Sequence, residues 1–202
     1  MKWWKQVALS LTVTILGVGS FLAYRAIAKQ HDLRETLLWI DQTYNPHEGG
    51  DNLGQGHGQA AYYLQKPGEE KEIFEKSEMT VTQDGSCDVV IREQNPAVGA
   101  HNDVSSDTTF TLSLRDVDPE SIKTKIYGRS AEIEFLTRNS APVVKEEMVS
   151  TFLKLTGSDH ESKHVSKANH VFLIVDDVPY AQRLAKALKH AVELCGGKAS
   201  RF

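Results

Sequence analysis

Nineteen consecutive uncharged residues near the start of the chain, residues 6–24, follow the basic stretch MKWWK. About twenty apolar residues are enough to cross the hydrocarbon core of a bilayer. A basic flank before such a run is typical of a segment that is delivered to the membrane. We therefore expect residues 3–24 to form a transmembrane helix that anchors the protein in the lipid bilayer.

A cleavable signal peptide is the alternative for residues 1–28. Ala26-Ile27-Ala28 has the small-residue spacing of a cleavage site, and cleavage there would leave Lys29 first. The uncharged run is, however, longer than the roughly 7–15 residues usual in a cleaved signal. This favours a single-pass protein of the inner or cell membrane whose C-terminal domain lies outside the cytoplasm. Cleavage would instead give a secreted or periplasmic protein.

The charge of the chain differs between this segment and the body. The 202 residues include 23 Lys+Arg and 27 Asp+Glu, which gives a net charge of −4. Residues 1–28 hold three basic and no acidic residues, so the rest has 20 basic and 27 acidic residues and a charge of −7. Phosphate binding needs a basic surface, and an acidic body therefore argues against nucleic acid as a partner.

The two cysteines, Cys87 and Cys195, form an even pair in a protein exported to an oxidising compartment. Disulfides form and persist there. Cys87 shares a predicted strand face with Val89 and Ile91, while Cys195 lies on the apolar stripe of the last predicted helix. We expect a Cys87–Cys195 disulfide, with two buried and inert thiols as the alternative. Their separation in sequence excludes a CxxC redox motif.

The body begins with a short helical pattern and a glycine-rich stretch. Asp32 and Glu35 have the spacing of a capping box, which predicts a helix of about three turns that ends at Pro46. Residues 45–59 contain five glycines and are typical of a flexible linker. We therefore assign residues 29–59 to a short helix and linker, and residues 60–202 to one β domain.

Alternating apolar residues predict an antiparallel meander of about seven strands after residue 60. An Asp84-Gly85 turn indicates a hairpin between two of these strands. After Asp177 and Pro179, apolar residues recur every three or four positions and predict a C-terminal amphipathic helix that ends at Gly196. The expected fold class is α+β: a small barrel or sandwich capped by one helix.

This strand meander, closed by VFLIVDDVPYAQRLAKALKHAVELC at residues 171–195, resembles a pleckstrin-homology-like domain. It departs from that family in the last helix, where Leu184 stands in place of a frequent tryptophan. Residues 109–123 and 187–198 are also similar to a group of uncharacterised secreted or membrane-anchored bacterial proteins. The resemblance implies a scaffold that binds peptides or proteins. The family's basic hairpin is not matched, because residues 79–93 offer only Arg92, which argues against phosphoinositide binding.

An H-E-x-x-H pattern spans residues 160–164. On a helix, His160 and His164 would bind zinc on one face, Glu161 would act as the general base, and His170 has the spacing of a third ligand. Residues 158–170 contain few apolar residues, and Lys167 occupies the glycine position of the longer metalloprotease pattern. A solvated loop without a metal is therefore the prediction for this segment.

Three functions are compatible with these patterns. The first is a non-catalytic, extracytoplasmic interaction domain that needs no cofactor. The second is a zinc-dependent hydrolase that uses residues 160–164. The third is a carrier of a small apolar ligand inside the barrel, which period-two patterns neither support nor exclude.

Overall fold

The structure is a computed structural model and describes residues 25, 27–45, 59–66, 69–81, 87–95, 104–128, 130–152 and 160–198. The predicted membrane segment at residues 3–24, most of the glycine-rich stretch and the Asp84-Gly85 turn lie outside these ranges. No helix within the ranges combines the length and the apolarity that crossing a bilayer requires.

The first helix, α1, spans residues 27–44 and buries one side, formed by Leu33, Leu37, Ile40 and Tyr44. It begins earlier than the sequence predicts. The capping box proposed for Asp32 and Glu35 is wrong, since both residues lie inside the helix. Because the helical backbone already runs through residues 27–31, Asp32 is not at the terminus where a side-chain cap acts.

A six-stranded antiparallel sheet forms most of the body. Its order is β1-β2-β3-β4-β7-β8. Its strands are Gln59–Lys66, Glu69–Val81, Asp88–Asn95, Val104–Ser113, Val144–Phe152 and His160–Ala168. β4 pairs with β7 rather than with the next strand in sequence. The large sheet therefore has β1 and β8 at its two edges.

A second sheet contains the strands β5-β6-β9 in that order. They span Lys123–Tyr127, Ser130–Leu136 and His170–Val175. The chain reaches this sheet through two short 3-10 turns, and Asp118 caps the second by accepting from the Glu120 N–H at 2.9 Å. Because the chain leaves the large sheet after Ser113 and returns at Val144, the two sheets stay separate.

These two sheets confirm the α+β class and the antiparallel pairing. The closed barrel and the count of about seven strands are wrong, because the described residues form nine strands in two open sheets. Both sheets and both helices contribute to one buried apolar cluster. The body is thus organised around a single core.

Helix α2, Val178–Leu194, follows its predicted pattern. The Asp177 carboxylate accepts a hydrogen bond from the Tyr180 N–H at 2.6 Å, and a proline occupies the first turn. Residues at three- and four-residue spacing, including Ala181, Leu184 and Leu188, are buried. Gly196 ends the helix with a φ of +89°, in the region that favours glycine.

Helices α1 and α2 run antiparallel to each other. Asp32 Oδ2 lies 3.1 Å from His190 Nε2, and Thr43 Oγ1 lies 2.8 Å from Tyr180 OH. The Tyr44 hydroxyl donates to the Ile174 carbonyl of β9 at 3.2 Å. Helix α1 is therefore packed into the same core as the two sheets.

Cys87 and Cys195 form a disulfide, which confirms the predicted pairing. Cys87 precedes β3, and Cys195 directly follows α2, with 6.0 Å between their Cα atoms. The Cys87 carbonyl also accepts from the Leu114 N–H at 2.9 Å. The bond thus joins the start of β3 and the turn after β4 to the end of the last helix.

Candidate functional site

The H-E-x-x-H segment is a β-strand, so the loop predicted there is wrong. Residues His160–Ala168 form β8, which pairs with β7 from Val144 opposite Ala168 to Phe152 opposite His160. Backbone hydrogen bonds to β7 hold this strand in place, so it needs few apolar side chains. That is why composition alone indicated a loop.

An extended backbone separates the two histidines of the motif. Four residues advance about 13 Å along a strand, against about 6 Å along a helix. Successive side chains of a strand also point to opposite faces, so Glu161 lies on the face opposite that of His164. The helical geometry that lets this motif bind zinc is therefore not the geometry of residues 160–164.

The proposed third ligand, His170, lies at the start of β9 in the other sheet. Its Nδ1 is 3.1 Å from the side-chain oxygen of Asn169. Within the described part of the chain, no group of three or more His, Cys, Asp or Glu residues is arranged to hold a metal ion.

Glu147 on β7 forms an ion cluster beside β8. Its carboxylate lies 2.5 Å from Lys163 Nζ on β8 and 3.4 Å from Lys145 Nζ on its own strand. The hydrogen bond from Lys163 is the main cause that lowers the pKa of Glu147 below its usual value, and Lys145 adds to it. The Glu147 carboxylate thus forms ion pairs with both lysines.

Two further charges on the same face of β8, those of Glu161 and Lys167, lie outside this ion cluster. Lys167 lies opposite Lys145, a pairing of like charges, and Glu161 lies opposite Thr151. Among the described side chains, neither Lys167 nor Glu161 has an opposite charge within ion-pair distance. Both charges are exposed to solvent.

Val165 lies between the two lysines of β8 on this face, and 53% of its surface is exposed. We call Glu161, Lys163, Val165 and Lys167 the edge row. Its four positions alternate along the strand and therefore point to the same side of the sheet. From Glu161 to Lys167, its side chains are acidic, basic, apolar and basic.

The other face of β8 is open as well. His164, opposite Met148, is exposed, and Ser166 donates to Glu146 Oε2 at 2.7 Å. Of the described side chains of β8, only Ala168, at the end of the strand, packs against the buried apolar core, and it is itself only partly buried. Over residues 161–165, both faces of the strand are therefore accessible to a partner.

β8 is also the last strand in the order of the large sheet, and no described strand pairs with its outer side. Along an edge strand, the N–H and C=O groups of alternate residues point away from the sheet. β8 offers nine residues of such backbone. The arrangement can accept one more strand.

Sequence reasoning missed this edge although a signal for it exists. Lys163, Val165 and Lys167 alternate with small or polar residues at a period of two, as a strand requires. By contrast, Arg92, the single basic residue of the first predicted hairpin, is found on β3 opposite Glu78.

No family model, curated protein or solved structure matches this chain. The resemblance to pleckstrin-homology-like domains therefore stays a prediction.

Proposed function

We propose that this protein is a non-catalytic interaction domain, anchored in the membrane and held outside the cytoplasm, which binds an extended protein segment at β8. One observation carries the proposal: β8, a nine-residue strand at the edge of the large sheet, exposes residues 161–165 on both faces, and no described strand pairs with its outer side. Addition of a strand to such an edge is a common mode of peptide recognition.

The length of the edge supports this proposal. Proteins usually shorten, bend or cover their edge strands, or place charged side chains on them, because a long free edge pairs with other chains. β8 carries the charges of Glu161, Lys163 and Lys167 but is neither short nor interrupted. β8 keeps nine residues in unbroken register with β7. Since Ala168 is the only described side chain of β8 that packs against the buried apolar core, the core does not explain why the strand is kept this long.

The proposed location rests on two features. Residues 6–24 carry no charge and follow a basic flank, and Cys87 is bonded to Cys195. Structural disulfides are typical of compartments outside the cytoplasm. Both features agree with a body that is exported and a segment that stays in the bilayer.

Photo-crosslinking in the native membrane tests the proposal on the full chain. A photoreactive residue would replace Val165 on β8, and in a matched variant Tyr127 on β5, the outer strand of the small sheet. The two positions are 53% and 55% exposed, so chance collisions should label them equally.

We expect the variant at position 165 to give a discrete adduct whose linked peptide maps to one segment of one protein, a second copy of this chain included. We expect no such adduct from position 127. Absence of an adduct at position 165, or equal labelling at both positions, would overturn the proposed function.

A further inference from the structure

We infer that the strand that binds β8 is β8 of a second copy, paired antiparallel around a twofold axis at His164. This inference rests on the proposed function and names the partner for the same edge. In this register His164 lies opposite His164 of the other copy, and the first residue of one strand, His160, lies opposite the last residue of the other, Ala168. All nine residues of each strand are therefore paired. The two large sheets would join into one continuous antiparallel sheet.

Charge complementarity favours this register. It places Glu161 of each copy opposite Lys167 of the other, and opposite residues in an antiparallel pair lie about 4.5–5.5 Å apart at Cβ. These are the two charges of the edge row that have no partner among the described side chains. The pairing therefore forms two Glu161–Lys167 ion pairs between the copies, one on each side of the twofold axis.

The middle of the edge row also fits. Lys163 of one copy lies opposite Val165 of the other, so the aliphatic part of the lysine can cover the exposed valine. The Lys163 ammonium keeps Glu147 of its own chain as its partner. On the other face, Ser162 lies opposite Ser166, which puts two hydroxyl groups in contact.

Other registers of the same two strands are less favourable. A shift of the axis to Lys163 or to Val165 places lysine opposite lysine, and like charges at opposite positions are destabilising. Parallel pairing in register also places lysine opposite lysine, at positions 163 and 167. The order of charges along the edge row thus selects the antiparallel arrangement centred on His164.

The predicted anchor strengthens the association. Two tethered copies share one bilayer, which raises the effective concentration of each edge for the other. A closed dimer with twofold symmetry is also the commonest form of homo-oligomer. Pairing of the two edges removes them as templates for open-ended assembly.

Cysteine crosslinking of the full chain in membranes tests the inference. His164→Cys places one thiol of each copy at the twofold axis, where mild oxidation should give a disulfide-linked dimer. Tyr127→Cys on β5 is the matched exposed control. A mixture of Ser162→Cys and Ser166→Cys chains should crosslink, whereas Ser162→Cys alone should not.

Charge variants in the His164→Cys background test the register. Glu161→Lys or Lys167→Glu alone should lower the dimer yield about threefold to tenfold, because each creates two like-charge pairs. The double variant with both changes restores opposite charges and should restore the yield. Loss of folding cannot mimic this rescue.

Two results would overturn the inference. One is equal crosslinking at positions 164 and 127, or a yield at position 164 that does not respond to the charge variants. The other is a monomer at every position while photo-crosslinking at position 165 still captures a different protein. In the second case the proposed function stands, and the partner is not a second copy.

Discussion

The side-chain amide of Asn45 satisfies both backbone hydrogen-bonding groups of Met79. The Met79 N–H donates to Asn45 Oδ1 at 2.7 Å, and Asn45 Nδ2 donates to the Met79 carbonyl at 2.6 Å. β1 pairs with β2 only as far as Lys76. Directly after helix α1, Asn45 thus takes the place of a neighbouring strand and ties the helix to the large sheet.

We predict that Asn45→Ala destabilises the fold by about 1–3 kcal/mol, because it leaves two backbone groups of a buried residue without their partner. Urea unfolding would measure this change, and hydrogen exchange should show faster opening at the Met79 amide. Asn45→Asp keeps an acceptor for the Met79 N–H but loses the donor, so we expect an intermediate loss. Equal unfolding midpoints for all three chains would contradict the assigned role.

Reduction of the Cys87–Cys195 disulfide should lower the melting temperature by several degrees. The bond spans a separation of 108 residues, and closure of a loop of that size is worth about 4–5 kcal/mol in the chain-entropy model. Calorimetry with and without reductant would measure the effect. The variant with both Cys87→Ala and Cys195→Ala is the control, and its melting temperature should be the same with and without reductant.

The pKa of Glu147 should report on the ion cluster beside β8. Lys163 is the main cause of its lowered pKa, so Lys163→Gln should raise the pKa towards the ordinary carboxyl value, and Lys145→Gln should raise it less. Carboxyl NMR titration would measure both shifts. Lys167→Gln is the control and should leave the pKa unchanged, since Lys167 makes no ion pair with Glu147.

The direction of the pKa shift also gives the pH dependence. Because the pKa of Glu147 is lower in the folded than in the unfolded chain, the cluster stabilises the fold above the ordinary carboxyl pKa of about 4.3. That contribution disappears as the pH falls through the lowered value. Glu147 is partly exposed to solvent, so the contribution is expected to be small.

The histidines of residues 160–164 should be dispensable for metal content. On a strand, His160 and His164 are about 13 Å apart along the backbone. We expect His160→Ala and His164→Ala to change neither the zinc content of the purified chain by elemental analysis nor its unfolding midpoint. One equivalent of zinc that either substitution removes would restore the hydrolase hypothesis.

Much of the fold could be predicted for helices and strands that bury one face and expose the other. Strand β6 alternates buried Ile133 and Phe135 with charged neighbours, and helix α2 places its buried residues every three or four positions. The disulfide followed from the same reasoning, since both cysteines were placed on apolar faces. These features depend on short-range periodicity, which the sequence displays directly.

The remaining features depend on contacts that are distant in sequence. β8 is held by backbone pairing at an edge, so its residues show little of the apolar alternation that marks a half-buried strand. Ile126 shares a face with buried Ala131 but is 57% exposed, because β5 is the outer strand of its sheet. The edge row was missed for the same reason, since it is a candidate binding surface only because β8 lies at the edge of the sheet.

The mass of the mature chain should separate an anchor from a signal peptide. We expect the protein isolated from membranes to retain Met1–Ala28, because the uncharged run of residues 6–24 is longer than the core of a typical cleaved signal. Intact-mass measurement of the detergent-extracted protein would show this. As a control, Ala28→Leu blocks the small-residue cleavage pattern and should leave the mass of an anchored protein unchanged except for the substitution. A native chain that begins at Lys29, together with an uncleaved Ala28→Leu chain, would instead establish a signal peptide and remove the proposed membrane tether.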